Sequence, residues 1–208
     1  MPSYHGRRIS SVGLRMFSCS CFGRMVGYQE AIRLPRRDSS SEVGQCSGNS
    51  VAVILELSVR VATEAACSPV VVVLGASADL IRKHSDLRNA QIVLNNGWTE
   101  GMASSIRIGL AVMRNVEGII IMTCDMPAVT SSHIRALAAS GGMTASSYSG
   151  RLGVPAYLPQ SMFPMLIKLH GDTGARDLLG TSAAIELLGG ELDIDTKEAL
   201  RIARERFG

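Results

Sequence analysis

The stretch Gly118-Ile119-Ile120-Ile121-Met122-Thr123-Cys124-Asp125-Met126-Pro127 decides the fold. Its β-branched apolar run, bounded by glycine and proline, is typical of a strand buried on both faces, as in a parallel α/β sheet. In such sheets ligands bind beyond the carboxyl ends of the strands, which is where Asp125 falls. Pro127 cannot continue a central strand, so the chain has to turn just after this carboxylate. Asp125 is therefore a candidate catalytic or metal-binding residue, and a helix cap or turn former is the alternative.

The overall composition fits one globular α/β domain. Of the 208 residues, 46% are hydrophobic and 19% charged, and this content favours a folded core over disorder. The net charge of +3 is too small to indicate a nucleic-acid partner. We expect no membrane span, because no apolar run approaches roughly 18–20 residues. We also expect no secretory signal, because the first 30 residues contain no apolar h-region. Five cysteines without a paired spacing indicate free thiols, which favours a cytoplasmic protein.

Segments with the patterns of strands and helices alternate from Val59 onward. Short β-branched runs predict strands at residues 70–74, 91–94, 118–124, 143–147, 153–158 and 184–188. Helical spacing and capping residues predict helices at residues 59–67, 78–86, 99–113, 130–139, 161–169, 172–179 and 196–207. This alternation predicts a three-layer, Rossmann-like α/β fold with a mostly parallel sheet. We interpret the isolated residues His84, His133 and His170 as surface or capping residues.

Residues 1–58 do not follow this alternation. They are rich in arginine and serine, which indicates a poorly ordered arm with a short apolar run at Val51–Leu57. We therefore divide the chain into an atypical N-terminal segment, residues 1–58, and a domain formed by residues 59–208.

Four polar stretches follow predicted strands or begin predicted helices. They are residues 95–107 (N-N-G-W-T-E-G-M-A-S-S-I-R), 124–127 (C-D-M-P), 171–176 (G-D-T-G-A-R) and 193–196 (D-I-D-T). Each has a structural alternative when it is considered alone. Glu100 and Asp172 favour helix N-termini, and Arg107 suits a solvated helix face. The function therefore has to be inferred from the four stretches together.

In this order, the four stretches resemble the molybdenum-cofactor nucleotidyltransferases, and most closely the molybdopterin cytidylyltransferase branch. That branch has N-x-x-W-x-E-G-M-x-S-S-[IL]-R, D-M-P at a strand end, G-D-x-G-A-R and a closing D-I-D-T-x-E-x-L, so the resemblance covers residues 59–208. It implies an NTP-transferase-like domain that condenses a nucleoside triphosphate with molybdopterin or its molybdenum cofactor and releases pyrophosphate. It favours CTP over GTP.

The resemblance also implies a Mg²⁺ site. Phosphoryl transfer depends on charge neutralisation and positioning, and Mg²⁺ prefers carboxylates together with substrate phosphates. Asp125 would be the first carboxylate, and Asp195 or Asp193 would supply the second.

The remaining candidate residues are implied to bind substrates. Asn95, Ser104, Ser105 and Arg107 would contact nucleotide or pterin, although the two serines also suit a closely packed helix. Gly153-Val154-Pro155 matches a G-[HV]-P turn that faces the acceptor in the family. Arg176 would contact the pterin phosphate or pair with Asp172. The implied substrate-binding set is Asn95, Glu100, Ser104, Ser105, Arg107, Gly153, Pro155, Asp172 and Arg176.

The N-terminal segment departs from the family. Members begin with a strand and a glycine-rich loop, roughly L-A-A-G-x-S-x-R-M-G-x-x-K, whose backbone amides cradle the triphosphate. Here Gly23–Gly27 is a faint echo without the lysine. We hypothesise a reading-frame shift, because moving Ser18–Ala31 one nucleotide forward permits Leu-Ala-Ala and basic residues in the lysine region. The chain as written would then lack the cradle and the first strand, and the genomic nucleotide sequence tests this.

Two other functions stay open beside the enzyme. One is a catalytically impaired family member that lacks the triphosphate-binding loop. The other is a non-catalytic partner protein of molybdenum enzymes. Sugar-phosphate nucleotidyl transfer on the same fold is a further alternative, and the E-G-M-x-S-S segment argues against it by analogy.

Overall fold

A seven-stranded sheet with helices on both faces organises the computed structural model, which describes residues 12–17, 49–172, 174–194, 201–202 and 205. The strands are β1 (Val12–Phe17), β2 (Val70–Leu74), β3 (Gln91–Leu94), β4 (Gly118–Thr123), β5 (Thr144–Tyr148), β6 (Arg151–Pro159) and β7 (Ala183–Glu186). The helices are α1 (Asn49–Glu64), α2 (Ala78–His84), α3 (Met102–Ala111), α4 (Ser131–Ala139) and α5 (Phe163–Ile167), with 3-10 turns at Trp98–Glu100, Gln160–Met162 and Ala175–Thr181. Among these described helices, none has the length and apolar character needed to cross a membrane.

The strands are arranged in the order β3-β2-β1-β4-β6-β5-β7. All neighbouring pairs are parallel except those of β6, which runs antiparallel to β4 and to β5. The prediction of a mostly parallel α/β sheet is therefore confirmed. The strand that ends before Asp125 lies at the centre of this sheet, where both of its neighbours are hydrogen-bonded strands.

The central strand β4 contributes to both halves of the core. Ile120 and Met122 point to one face, where they belong to the same cluster as apolar residues of α1 and α4. Ile119 and Ile121 point to the other face, where they pack with residues of α3 and α5. Because successive side chains of a strand alternate between faces, this double burial explains the continuous apolar run in the sequence. It also confirms three layers.

The N-terminal part of the described chain contains a strand that the sequence did not lead us to expect. Residues 12–17 form β1, which pairs in parallel with both β2 and β4, so the expectation that the first strand is missing is wrong. Helix α1 begins at Asn49 and runs across residue 58, and Leu55 is fully buried in the core. The glycine-rich loop and the frame-shift hypothesis concern residues 18–31, which lie outside the described residues.

Several predicted elements have different bounds, and each difference has a local cause. The β5–β6 turn is limited to Ser149 and Gly150, whose φ angles of 48° and 71° suit a two-residue type I′ turn. The helix predicted at 161–169 is limited to α5, where Pro164 in the first turn suits a helix start and Lys168 is the C-cap. The helix predicted at 172–179 is instead a 3-10 turn that follows the extended residue Gly174. The helix predicted at 196–207 is described only at residues 201, 202 and 205, which are helical.

Candidate functional site

Four of the predicted site residues lie along one edge of the sheet. Asn95 follows β3, Asp125 follows β4, and β5 ends at this same edge. Because β6 is antiparallel to its neighbours, its first half lies here too, and it contains Gly153 and Pro155. This is the edge at which ligands of α/β proteins bind.

Asp125 is the buried acid of this edge. It is 8% exposed, and its Oδ1 atom is buried without a hydrogen-bond partner among the residues that the structure describes. Its backbone carbonyl accepts a hydrogen bond of 2.8 Å from the Ile194 amide, so the D-M-P and D-I-D-T stretches adjoin. Asp193 is exposed beside Ile194, and Asp195 lies outside the described residues. The segment that contains Asp193 therefore lies next to Asp125. The described residues do not show a second carboxylate that binds a metal there.

The buried oxygen of Asp125 fits a divalent cation. A desolvated carboxylate oxygen without a hydrogen bond is costly, and a cation is one partner that would offset this cost. Among the described residues, no three histidine, cysteine or acidic side chains converge on a metal position. The donor set that is present agrees with Mg²⁺, which binds one or two carboxylates and completes its shell with substrate phosphates and water.

Asn95 joins the end of β3 to the start of α3. It is 1% exposed, and its Nδ2 donates hydrogen bonds of 2.8 Å and 2.9 Å to the hydroxyls of Ser104 and Ser105. Its Oδ1 accepts from the Gly97 amide at 3.0 Å, and Ser104 donates to the carbonyl of Gly101 at 2.8 Å. The Asn95 side-chain amide therefore makes its hydrogen bonds to other protein groups. They favour a positioning role for the three polar residues, and direct contact with a substrate stays a prediction.

A second set of contacts joins residues 95–107 to residues 169–172. Arg107 Nη2 donates to both carboxylate oxygens of Glu100 at 2.6 Å, and Nη1 donates to the Leu169 carbonyl. The Ala103 amide donates to the Gly171 carbonyl at 3.0 Å. We call these contacts the loop latch. Two of the stretches found in the sequence therefore form one wall of the site, and Arg107 is engaged within it.

The loop latch predicts a pH-dependent contribution of Glu100 to stability. The hydrogen bonds from Arg107 hold the pKa of the Glu100 carboxyl below its ordinary value of 4.5. The stabilisation is therefore fully present above pH 4.5 and is lost as the pH falls through the lower pKa of the folded protein. We expect urea unfolding to find Glu100→Gln less stable than the unsubstituted chain at neutral pH, with a difference that disappears in acid. Glu186→Gln, on an exposed position of β7, is the control. A pH-independent difference would contradict the prediction.

The predicted residues of the acceptor side surround Tyr148. The Tyr148 hydroxyl donates to the Val154 carbonyl at 3.2 Å, and the positive charge of Arg176 favours the ionised form of this hydroxyl. Burial nevertheless raises the pKa of Tyr148. Asp172 is exposed and lies against Gly101 at the loop latch. The charge of Arg176 thus acts on the β5–β6 hairpin at Tyr148.

Sequence reasoning missed a buried polar group beside this hairpin. His133 is not a surface residue, since it is 9% exposed and its Nε2 lies 2.8 Å from the hydroxyl of Ser146. The signal was the helical spacing of α4, because His133, Ile134 and Leu137 share its buried face. The prediction that Thr130 caps this helix is confirmed, since its hydroxyl accepts from the His133 amide at 3.2 Å.

Comparison with known proteins relates the chain to one family. The family model described as the MobA-like NTP transferase domain matches residues 51–186. Nicotine blue oxidoreductase of Paenarthrobacter nicotinovorans is 30% identical over 124 residues, which are 54% of this chain and 61% of that protein. The purine catabolism protein PucB of Bacillus subtilis (strain 168) is 34% identical over 116 residues, which are 50% of this chain and 57% of that protein. The chain thus spans about three fifths of the curated relatives it matches.

A solved structure resembles the whole fold. Rv0371c of Mycobacterium tuberculosis H37Rv, in complex with manganese, has a TM-score of 0.65 and 22% identity, covering 95% of this chain and 100% of that chain. At this identity, the likeness concerns the fold.

Proposed function

We infer that the chain, which belongs to the MobA-like NTP transferase family, is a nucleotidyltransferase. Its proposed substrates are a nucleoside triphosphate, with CTP favoured over GTP, and molybdopterin or its molybdenum cofactor. The observation that carries the proposal is the burial of Asp125 at the carboxyl end of the central strand, where its Oδ1 has no hydrogen-bond partner among the described residues. A cytoplasmic reaction follows from the same proposal.

The proposed reaction needs little covalent chemistry from the protein. An oxygen of the acceptor phosphate attacks the α-phosphorus of the triphosphate, the bond to the bridging oxygen breaks, and pyrophosphate leaves with its electron pair. A divalent cation, when bound, would neutralise charge on the triphosphate. The manganese complex of Rv0371c supports such a cation, and Mg²⁺ is the proposed one here.

The chain's own residues would hold the reactants in line. Asp125 would hold the cation, together with Asp195 or Asp193. The loop latch and the Asn95 contacts fix the wall formed by residues 95–107, and this rigidity supports positioning of the substrates. Arg176 would supply positive charge to the acceptor phosphate, in competition with its electrostatic effect on the Tyr148 hydroxyl.

Release of pyrophosphate tests this function. We expect release that requires CTP, molybdopterin and a divalent cation together, and that a chelator abolishes. GTP in place of CTP tests the choice of base. A chain that is folded by circular dichroism but releases no pyrophosphate contradicts the proposal and favours the impaired family member.

The second candidate function, an impaired family member, is favoured by one feature of the sequence. Residues 18–48 contain no recognisable glycine-rich loop with its lysine. Such a protein would bind molybdopterin without transferring a nucleotide to it. Binding of a purified molybdenum enzyme without any turnover would instead favour a non-catalytic partner. Reduction of nicotine blue, the activity in the name of one relative, is the test for a different class of enzyme.

A further inference from the structure

The pairing of β5 with β6 is interrupted at the edge of the sheet that carries the site. Ala145 pairs with Ala156, but the next residue, Ser146, pairs with Gly153. Val154 and Pro155 are therefore left out of the ladder between these two strands. Such β-bulges re-aim the chain and are common beside active sites. We call residues 154–155 the β6 bulge.

Two hydroxyl groups of β5 replace the missing ladder contacts. Ser146 Oγ donates a hydrogen bond of 2.6 Å to the Pro155 carbonyl, and the Tyr148 hydroxyl donates one of 3.2 Å to the Val154 carbonyl. Two consecutive carbonyls are thus each held by a side chain from alternate positions of one strand. Since Ser146 is fully buried, its contact with Pro155 is made away from solvent.

His133 fixes the direction of the Ser146 hydroxyl. The serine has one hydroxyl proton, and this proton is donated to the Pro155 carbonyl. The His133 Nε2 atom, 2.8 Å from the same oxygen, must therefore carry a proton and act as the donor. The result is a chain of hydrogen bonds from α4 through β5 to the β6 bulge.

Two glycines accommodate the Tyr148 ring. A Cβ atom on Gly190 would lie 2.8 Å from Tyr148 Cδ1, and one on Gly153 would collide with the hydroxyl. The ring therefore fits only because both positions lack a side chain. Its position is fixed from the β6 side and from the segment that leads to Ile194.

The β6 bulge lies next to the end of the central strand. Ile121 of β4 pairs with Ala156, so the two bulge residues adjoin the last part of β4, just before Asp125. The Tyr148 ring lies against Gly190, and the same segment continues to Ile194, whose amide donates to the Asp125 carbonyl at 2.8 Å, so the hairpin lies at the same corner of the site. A shift of the bulge would thus change the space beside Asp125.

We propose that Ser146 and Tyr148 are positioning residues that hold the β6 bulge as a wall of the acceptor site, with His133 orienting Ser146. The proposal rests on the proposed function, because it takes the acceptor to be molybdopterin. In this proposal, Ser146, Tyr148 and His133 determine the affinity for the acceptor. The other wall, formed by residues 95–107, determines the affinity for the nucleotide.

The test measures the Kd of molybdopterin by equilibrium dialysis without nucleotide, so it does not depend on turnover. We expect Ser146→Ala and Tyr148→Phe each to weaken acceptor binding about 10-fold, with CTP affinity changed less than about 2-fold. Ser146→Thr, which keeps the hydroxyl, should restore binding. Because both hydroxyls hold one bulge, the double variant should lose less than the product of the single losses.

Two controls on the same strand separate positioning from general loss of stability. Thr144→Val removes the hydrogen bonds of Thr144 to Ser140 and Gly142, so it should lower the melting temperature without changing acceptor binding. Ser147→Ala removes a hydroxyl between the two proposed positions and should change neither quantity.

The outcomes distinguish this proposal from the proposed function. Weaker acceptor binding in both variants, with no pyrophosphate release from the unsubstituted chain, supports the positioning role and refutes nucleotidyl transfer. Unchanged acceptor binding, or an equal loss of CTP and acceptor affinity, overturns the positioning role even if transfer is observed. An unsubstituted chain that does not bind molybdopterin refutes both.

Discussion

Replacing Asp125 with asparagine is expected to lower nucleotidyl transfer by about 10²–10³-fold without lowering the melting temperature. Both effects follow from removing the charge of a buried carboxylate. The carboxylate is 8% exposed, and its Oδ1 has no hydrogen-bond partner in the described part of the chain, so its burial is costly there. An amide of the same shape removes the charge that a divalent cation requires. It also lessens the cost of burial, so the melting temperature should be unchanged or higher.

Pyrophosphate release, thermal unfolding and the electron paramagnetic resonance signal of bound Mn²⁺ together check this result. The Asp125→Asn protein should lose the Mn²⁺ signal that the unsubstituted chain shows. Asp79→Asn, at an exposed position in the first turn of α2, is the matched control and should change none of the three measurements. A variant that unfolds at lower temperature but still binds Mn²⁺ would favour the turn-forming role of Asp125 and contradict the metal-binding role.

The strands that could be predicted are those whose sequence alone determines their burial. The apolar runs of β2 and β4 are buried on both faces, and their predicted bounds agree with the structure to within one residue. β1 could not be predicted, since Val12–Phe17 contains a glycine and an arginine and has no continuous apolar run. It is a strand because it pairs on both sides, with β2 and with β4. Tertiary pairing has overridden local propensity here.

Helix α1 is a similar case. Its sequence is rich in valine, which has a weak intrinsic helix preference, so the run Val51–Leu57 alone did not indicate a helix. Packing supplies what propensity lacks, because Leu55, Val59 and Ala62 are buried at helical spacing against the sheet. A sequence reading that starts the ordered domain at residue 59 therefore omits the first part of this helix.

The sequence predicts which stretches contribute to the candidate site, but it does not predict the contacts between them. The order of the polar stretches indicated which segments belong together, and topology places them at one edge of the sheet. The contact of Asn95 with Ser104 and Ser105 depends on the 3-10 turn at Trp98–Glu100, which determines how far the chain travels before α3. The β6 bulge depends on a shift in strand register, and no local sequence pattern predicts that shift.

Two of the stretches pack closely at Gly101, and Gly101→Ala is expected to lower the free energy of unfolding by about 2–5 kcal/mol. Gly101 has a φ of 112°, where a side chain is strained. A Cβ atom there would also lie 2.5 Å from the Gly171 carbonyl and 2.6 Å from Asp172 Oδ1. The Gly171 backbone cannot easily yield, because its carbonyl accepts from the Ala103 amide. The two loops would have to separate, and the loop latch would open with them.

Three glycine-to-alanine variants separate strain from collision. Gly171→Ala has a φ of 62° but free space for a Cβ, so it should cost about 1 kcal/mol through strain alone. Gly97→Ala, with a φ of −94° and only an ordinary contact at 3.6 Å, should cost less than about 0.5 kcal/mol. Gly101→Ala combines both effects and should lower the melting temperature by roughly 10 °C. If Gly101→Ala and Gly171→Ala instead melt at the same temperature, the close approach of the loops contributes nothing, because backbone conformation alone then accounts for the loss.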